Sequence, residues 1–301
     1  MTSAASPDRF RRVIVSPLKR SPPWVGGGSV HPLEHSQHFG GLRRRNREQI
    51  MKSGVGIVAM ALLFCSAGAS AISVDELVAK NLQAKGGIEA IHAINSLDLQ
   101  GRMQFSGGSF SLELGFHQLT KRGVGYRNEA ALQGLTAITA YDGKDAWQVQ
   151  PFQGRLDPEK LAKDQAKSLA QQADIDGPLV DWKAKGHHLE YLGTEDVDGT
   201  PAHKLKVTLA DGDTQFIYLD PDYFLEIRIS TVSTQRGVEY EQESDVGNYE
   251  RVAGVFVPFA IESGPKGQPK GQKITIDNAV ANGTMDDSLF AFPTNKVENA
   301  K

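Results

Sequence analysis

The sequence predicts a mainly β fold: an antiparallel sheet of about eleven or twelve strands accompanied by few helices. Apolar and charged residues alternate along residues 203–209 and 225–230, and a period of two places one set on each face of a sheet. Turn residues separate these stretches, as at Asp198-Gly199 and in 211–213. Asp-Gly suits a tight hairpin because glycine adopts positive φ without strain. Helical spacing is confined to the start of this region and to one stretch in its middle.

The first 71 residues have the features of a secretory signal preceded by an arm. Met51-Lys52 is a short basic start, residues 55–64 form an unbroken apolar run, and Ala69-Ser70-Ala71 is a small-residue cleavage site. We therefore expect a signal peptide at 51–71, export to the periplasm, and a single domain at 72–301. An uncleaved anchor is the alternative. Residues 1–50 predict a disordered basic arm, and Met51 is then the true start.

Composition after cleavage excludes several classes of protein. The only cysteine, Cys65, lies within the signal, so the exported chain has no disulfide and no thiol nucleophile. Removing 1–71 takes away ten Lys and Arg and three Asp and Glu, which leaves 23 basic and 33 acidic residues and a formal charge of −10. Such an acidic domain is a poor partner for nucleic acid.

The pattern begins with two helices and then changes to strands. Ser73 and Glu76 have capping-box spacing at the start of the first helix, Gly86-Gly87 ends it, and a short second helix follows from Ile88. Five strands are then expected at 97–105, 110–116, 124–131, 136–141 and 146–149.

A helical insertion is expected at 156–185. Asp157-Pro158-Glu159 resembles a helix start, an apolar stripe follows, and Gly177-Pro178 ends it. The four-stranded meander 188–230 comes next, and then strands at 237–249, 255–262 and 272–280.

The apolar face of this sheet requires a cover, which is a second sheet, the helices or a ligand. The helices are too few and too short to fill the whole face, which favours an apolar cavity under them. Lid contacts are predicted at Leu161, Leu169 and Trp182 of the insertion. The residues predicted to line the cavity and bind lipid are Leu99, Met103, Phe105, Leu112, Leu114, Phe116, Trp147, Leu205, Val207, Ile227 and Ile229.

Signatures of catalysis and of metal binding do not occur. The sequence contains no Gly-x-Ser-x-Gly, no P-loop, no His-Glu-x-x-His and no cysteine pair. His187, His188 and His203 are interpreted as half-exposed histidines near a turn, and Asp142 and Asp145 as turn residues. We expect a protein that is not an enzyme and has no cofactor and no metal.

Several segments resemble the outer-membrane lipoprotein-sorting family, the LolA/LolB-like superfamily. They are VDELVAKNLQAKGGIEAIHAINSLDLQGRM, AYDGKDAWQVQPFQG, LEYLGTEDVDGTPAHKLKV, YLDPDYFLEIRIS and GVFVPFAIES. The resemblance implies an open antiparallel β half-barrel of about eleven strands, with a helical lid over an apolar cavity that receives acyl chains. It also implies an early-strand arginine that links lid opening to ligand, for which Arg102 and Arg127 are the candidates.

The leading hypothesis is a periplasmic carrier that binds the acyl chains of a lipid or lipoprotein, as a monomer, with an envelope protein as donor or acceptor. The alternative is a structural or interaction module of the cell envelope with a filled core. A hydrolase is disfavoured because no nucleophile and base are readable. An outer-membrane barrel is disfavoured by Lys204, Lys206 and Glu226, which it would expose to lipid.

Overall fold

The structure is a computed structural model that describes residues 72–235 and 237–293. The predicted arm at 1–50 and signal peptide at 51–71, with Cys65, lie outside the described residues. Within the described ranges, no helix has both the length and the apolar character needed to cross a membrane.

In the part of the chain that the structure describes, a single open antiparallel sheet contains thirteen strands. They are β1 Ser96–Gly107, β2 Phe110–Lys121, β3 Gly125–Leu132, β4 Leu135–Tyr141, β5 Ala146–Gln150, β6 Arg155–Lys160, β7 His188–Val197, β8 Thr200–Thr208, β9 Thr214–Leu219, β10 Glu226–Gln235, β11 Val238–Val252, β12 Val255–Pro265 and β13 Gln272–Ala281. Strands that are consecutive in sequence are neighbours in the sheet, apart from β6 and β7, which form its two edges. The first and last strands, β1 and β13, pair with each other in the middle of the sheet.

Within residues 72–235 and 237–293, three α-helices accompany the sheet: α1 Val74–Lys85, α2 Ile88–His92 and α3 Lys163–Gln172. The Ser73 hydroxyl caps α1 by accepting from the Glu76 amide at 3.1 Å. Gly86 ends α1 with φ of 129°, and a Cβ there would lie 2.3 Å from the Gly254 carbonyl oxygen. The close approach of α1 to the start of β12 therefore requires glycine at this position.

All three helices pack on one face of the sheet, which we name the helix face. Cross-strand pairing places Met103 of β1, Phe116 of β2, Tyr126 of β3 and Ile217 of β9 on this face. α3 packs on Tyr126, and α1 packs on Ile217. A separate cluster that includes Tyr218 lies on the opposite face, because neighbouring residues of a strand point in opposite directions.

The antiparallel, open and mainly β prediction is confirmed, and the extra strand is β6. The predicted helix start at Asp157-Pro158-Glu159 is wrong, because these residues belong to β6, where Glu159 pairs with Gln148. An edge strand tolerates proline because the missing N–H faces away from the ladder. The helix of the insertion begins later, at Lys163.

Candidate functional site

The helix face is divided into a part covered by α1 and a part that extends beyond the helices. Leu77 and Val78 of α1 pack against Leu205, Val207 and their neighbours in β7–β9. Leu205 and Val207, predicted to bind lipid, are completely buried under this helix. In this part of the sheet the cover is protein.

The central part of the helix face holds the largest group of predicted lipid-binding residues. Leu99, Met103 and Phe116 are buried in one cluster with side chains from β11, β12 and β13. Leu114 beside Met103 is also buried. These four residues form an apolar floor near the middle of the sheet.

Burial decreases along β1 and β2 away from the helices. Leu112 is half-buried, and Phe105, which pairs with it, is 37% exposed. Phe105 lines a groove of about 330 Å³ with Tyr240 of β11, which is 52% exposed. Apolar side chains of the helix face thus remain accessible at this end. Ile229 lies on the same face, opposite Ile217.

α3 contacts strands β3 and β5 on one side and the turn between β8 and β9 on the other. Its Leu169 is buried against Tyr126 and Ala146, and Leu161 packs at the same cluster. On the other side of α3, Lys167 Nζ contacts the Asp213 carboxylate at 2.6 Å. Leu161 precedes α3 and the predicted lid residue Trp182 lies in a later turn, where it packs against the α1 cluster.

The turn between β2 and β3 holds an arginine that sequence reasoning did not identify. Arg122 Nε and Nη2 donate to the Ile94 carbonyl at 2.9 and 2.7 Å, and Nη2 also donates to the Ile91 carbonyl at 3.2 Å. Both terminal nitrogens bind the buried Asp176 carboxylate, with Nη2 to Oδ1 at 2.7 Å. Hydrogen bonding to Asp176 raises the pKa of Arg122. Arg122 therefore connects the sheet to α2 and to the loop after α3.

The two predicted gating arginines lie on the opposite face. Arg102 forms an exposed pair with Asp277 at 3.1 Å. Arg127 binds Glu129 at 2.6 Å and donates to the Leu289 carbonyl at 2.9 Å. Their strand registers place both away from the helices, so the position that connects sheet and helices is Arg122.

Two predicted lipid contacts are also displaced to the opposite face. Trp147 is buried there and donates from Nε1 to the Phe290 carbonyl at 2.8 Å. It follows Ala146, whose side chain points to α3, so the alternation of β5 turns Trp147 away. Ile227 sits at a β-bulge and packs in the Tyr218 cluster.

The histidines and aspartates have structural partners. His203 Nδ1 lies 2.9 Å from the Tyr191 hydroxyl, and burial, with Lys80 nearby, lowers the pKa of His203. Asp142 accepts from the Asp145 amide at 2.7 Å, which is turn chemistry. In the part of the chain that the structure describes, no three His, Cys, Asp or Glu residues are grouped for a metal ion.

Burial also lowers the pKa of His187, whose Nδ1 accepts from the Ala210 amide at 3.1 Å. His188 pairs with Thr208 across β7 and β8, and His203 pairs with Thr194. The strand register thus separates His188 from His203 along the ladder.

Comparison with solved structures identifies the fold. A LolA superfamily protein from Nitrosomonas europaea matches with a TM-score of 0.51 and 13% identity, covering 73% of this chain and 98% of that chain. A DUF1329 family protein from Desulfovibrio piger matches with a TM-score of 0.50 and 13% identity, covering 72% and 97%. A putative outer membrane lipoprotein-sorting protein domain from Vibrio parahaemolyticus matches more weakly, with a TM-score of 0.48, 11% identity and coverage of 71% and 94%.

The fold of this chain is therefore that of the LolA superfamily protein and of the DUF1329 family protein, as the sequence resemblance implied. No protein-family model matches the chain. No curated protein matches it either. At 13% identity the likeness shows the fold, and the function requires its own argument from the helix face.

Proposed function

We propose that this protein is a periplasmic carrier that binds the acyl chain of a lipid or lipoprotein on the helix face. The observation that carries the proposal is the apolar path from buried Met103 and Phe116 to accessible Phe105, beyond the helices. Burying alkyl groups contributes about 0.8 kcal/mol for each CH₂. A chain laid along this path gains affinity without charge, metal or cofactor, and a carrier of this kind performs no catalysis.

Loading and release require a helix to uncover apolar side chains of the helix face. In our proposal α3 is the lid, because it covers Tyr126 and Ala146 by apolar packing and is held on its other side by Lys167 and Asp213. Arg122 fixes α2 and the loop after α3 in the closed arrangement. An envelope protein with a better apolar groove is the expected acceptor.

The experiment compares two charge insertions at matched exposed positions. Phe105 lies on the helix face and is 37% exposed, whereas Val280 of β13 lies on the opposite face and is 45% exposed. Uptake of a fluorescent fatty-acyl probe should fall in Phe105→Glu and stay unchanged in Val280→Glu, because only the first places a carboxylate on the acyl path. Equal uptake by the two folded variants would contradict the proposal.

Native mass spectrometry of protein purified from the periplasm adds an independent measurement. An acylated species in one-to-one ratio identifies the cargo after solvent extraction. A clean apo-protein that also takes up no probe would instead favour an envelope interaction module with a filled core. The observation that supports the interaction module is the complete burial of Leu205 and Val207 under α1.

A further inference from the structure

A row of polar side chains crosses the helix face from β2 to β6. Cross-strand pairing aligns them one per strand, and all five are partly exposed: Gln118, Asn128, Thr139, Gln148 and Glu159. We name this set the polar row. Four interstrand spacings of about 4.8 Å give it a length of about 19 Å.

The polar row borders apolar side chains of the helix face on two sides. On the side of the helices it borders Tyr126 and Ala146, which α3 covers. Toward β1 it ends at Leu99, the cross-strand neighbour of Gln118 and a member of the central apolar floor. Polar and apolar zones therefore meet within the same face, which is the arrangement that an amphiphile requires.

The polar row is flanked by small side chains and has hydrogen-bonding capacity to spare. On the side away from the helices, the next positions of β3 and β4 are Ala130 and Ala137, which pair with each other and carry only methyl groups. Among the residues that the structure describes, the Thr139 hydroxyl at the centre of the row forms no hydrogen bond. A hydroxyl both donates and accepts, and so do side-chain amides.

The charges of the row are confined to its β6 end and compensate each other. Gln148 Nε2 donates to Glu159 at 2.6 Å, and Arg155 Nη1 donates to the same carboxylate at 2.7 Å. The central three positions are uncharged. A phosphate placed over them would find no cation there, whereas an ester, amide or hydroxyl group would find complementary donors and acceptors.

We propose that the polar row is the head-group subsite of the acyl-binding face, and that it selects amphiphiles with an uncharged, hydroxylated or amide head over those with a phosphate. The inference rests on the proposed function, because the alkyl tail then lies on Leu99, Met103 and Phe116. The head supplies specificity through hydrogen bonds, and the tail supplies most of the affinity.

The test separates the head from the tail with three probes. Dodecylpyrene has no polar head, 1-palmitoylglycerol has an uncharged hydroxylated head, and palmitoyl lysophosphatidic acid has a phosphate. Thr139→Val removes the central hydroxyl with little change in shape, and Gln148→Leu removes an amide. The matched control is Thr136→Val, because Thr136 lies on the same strand but points to the opposite face.

Wild-type protein should bind 1-palmitoylglycerol more tightly than palmitoyl lysophosphatidic acid. Thr139→Val and Gln148→Leu should each weaken 1-palmitoylglycerol binding by roughly three- to tenfold, the range expected for one lost hydrogen bond, without changing dodecylpyrene binding. Thr136→Val should bind all three probes as the wild type does. Circular dichroism verifies that each variant is folded, and the near-isosteric Thr139→Val keeps the test valid if Gln148→Leu unfolds.

The outcomes distinguish this inference from the proposed function. Normal dodecylpyrene binding without a preference for the uncharged head, or with a preference for the phosphate, would overturn the head-group subsite alone. Equal losses for every probe in Thr139→Val would also overturn it, because they would assign the row a structural role. A wild-type protein that binds no dodecylpyrene would refute the acyl carrier and the subsite with it.

Discussion

Replacing Arg122 by methionine removes the connection between the sheet, α2 and the loop after α3. The substitution leaves the Asp176 carboxylate, whose side chain is 7% exposed, without its cation, and it removes the side-chain donor to the Ile94 carbonyl. Breaking a fully buried pair costs about 3–5 kcal/mol. Because the Arg122 side chain is 31% exposed, water recovers a part, and we expect a loss of about 2–4 kcal/mol.

Arg102→Met is the matched control, since it also exchanges an arginine that pairs with an aspartate. Arg102 and Asp277 are 55% and 51% exposed, and exposed pairs contribute about 0–1 kcal/mol. Urea unfolding followed by far-UV circular dichroism gives both free energies of unfolding. In a domain of this size, the Arg122→Met loss corresponds to a decrease in Tm of about 5–15 °C.

A double variant tests the cause of the loss. Arg122→Met combined with Asp176→Leu removes both charges, and it should recover part of the stability because no unpaired buried carboxylate remains. If Arg122→Met is no less stable than Arg102→Met, the connection contributes nothing and the reasoning is refuted. If the double variant loses the sum of both single losses, the two side chains are not coupled.

Two further predictions concern pH and the opposite face of the sheet. Burial raises the pKa of Asp245, but hydrogen bonds from Arg228 and Lys270 outweigh it and hold the pKa below its ordinary value. The stability that the ionised Asp245 contributes is complete above the unfolded-state pKa of about 3.9 and is lost as pH falls through the lower folded-state pKa. The difference in stability between wild type and Asp245→Asn should therefore shrink in acid. A difference that stays constant with pH would exclude this linkage. Trp147→Phe should lower the free energy of unfolding by about 0.5–1.5 kcal/mol through its lost hydrogen bond and leave the affinity for the acyl probe unchanged. Phe116→Ala should weaken binding of the probe. A larger loss of probe affinity in Trp147→Phe than in Phe116→Ala would place the ligand on the opposite face.

The strands were predictable from sequence because their signal is local. Alternation in 203–209 and 225–230 and the turns beside them need no knowledge of distant residues. β6 was missed since Asp157-Pro158-Glu159 satisfies the rules for a helix start, and only pairing with β5 makes it a strand. The local sequence favoured a helix at this position, whereas the pairing with β5 makes the segment a strand.

The face of the sheet to which a side chain points was less predictable from the sequence than the position of its strand. Leu99, Met103 and Phe116 lie together on the helix face, because β1 and β2 pair without a register shift along them. Trp147 has the size and apolar character of a ligand contact, but one position along β5 separates the two faces. The bulge at Ile227 arises from the pairing of β10 with β9 and leaves no mark in the sequence.

Contacts between distant segments were not predictable at all. Arg122 lies in a basic turn and Asp176 precedes Gly177-Pro178, and each has an adequate local explanation. The polar row was missed for a related reason. Gln118, Asn128 and Thr139 are unremarkable within their own strands, and the row exists only after the strands are placed in register.

The order of the strands explains why α3 is the element most suited to be a lid. Every sequence-adjacent pair of strands is hydrogen-bonded except β6 and β7, and the pairing of β1 with β13 leaves those two as the only free edges of this sheet in the described chain. The segment between them contains α3, which packs on β3–β5 through Leu169 and binds the turn after β8 through Lys167. A helix that contacts β3–β5 through apolar side chains and the turn after β8 through an ion pair can detach from either one at a lower free-energy cost than a strand can leave the sheet. Movement of α3 would uncover Tyr126 and Ala146, which border the partly exposed polar row, so the apolar surface beside the row would become accessible in one step.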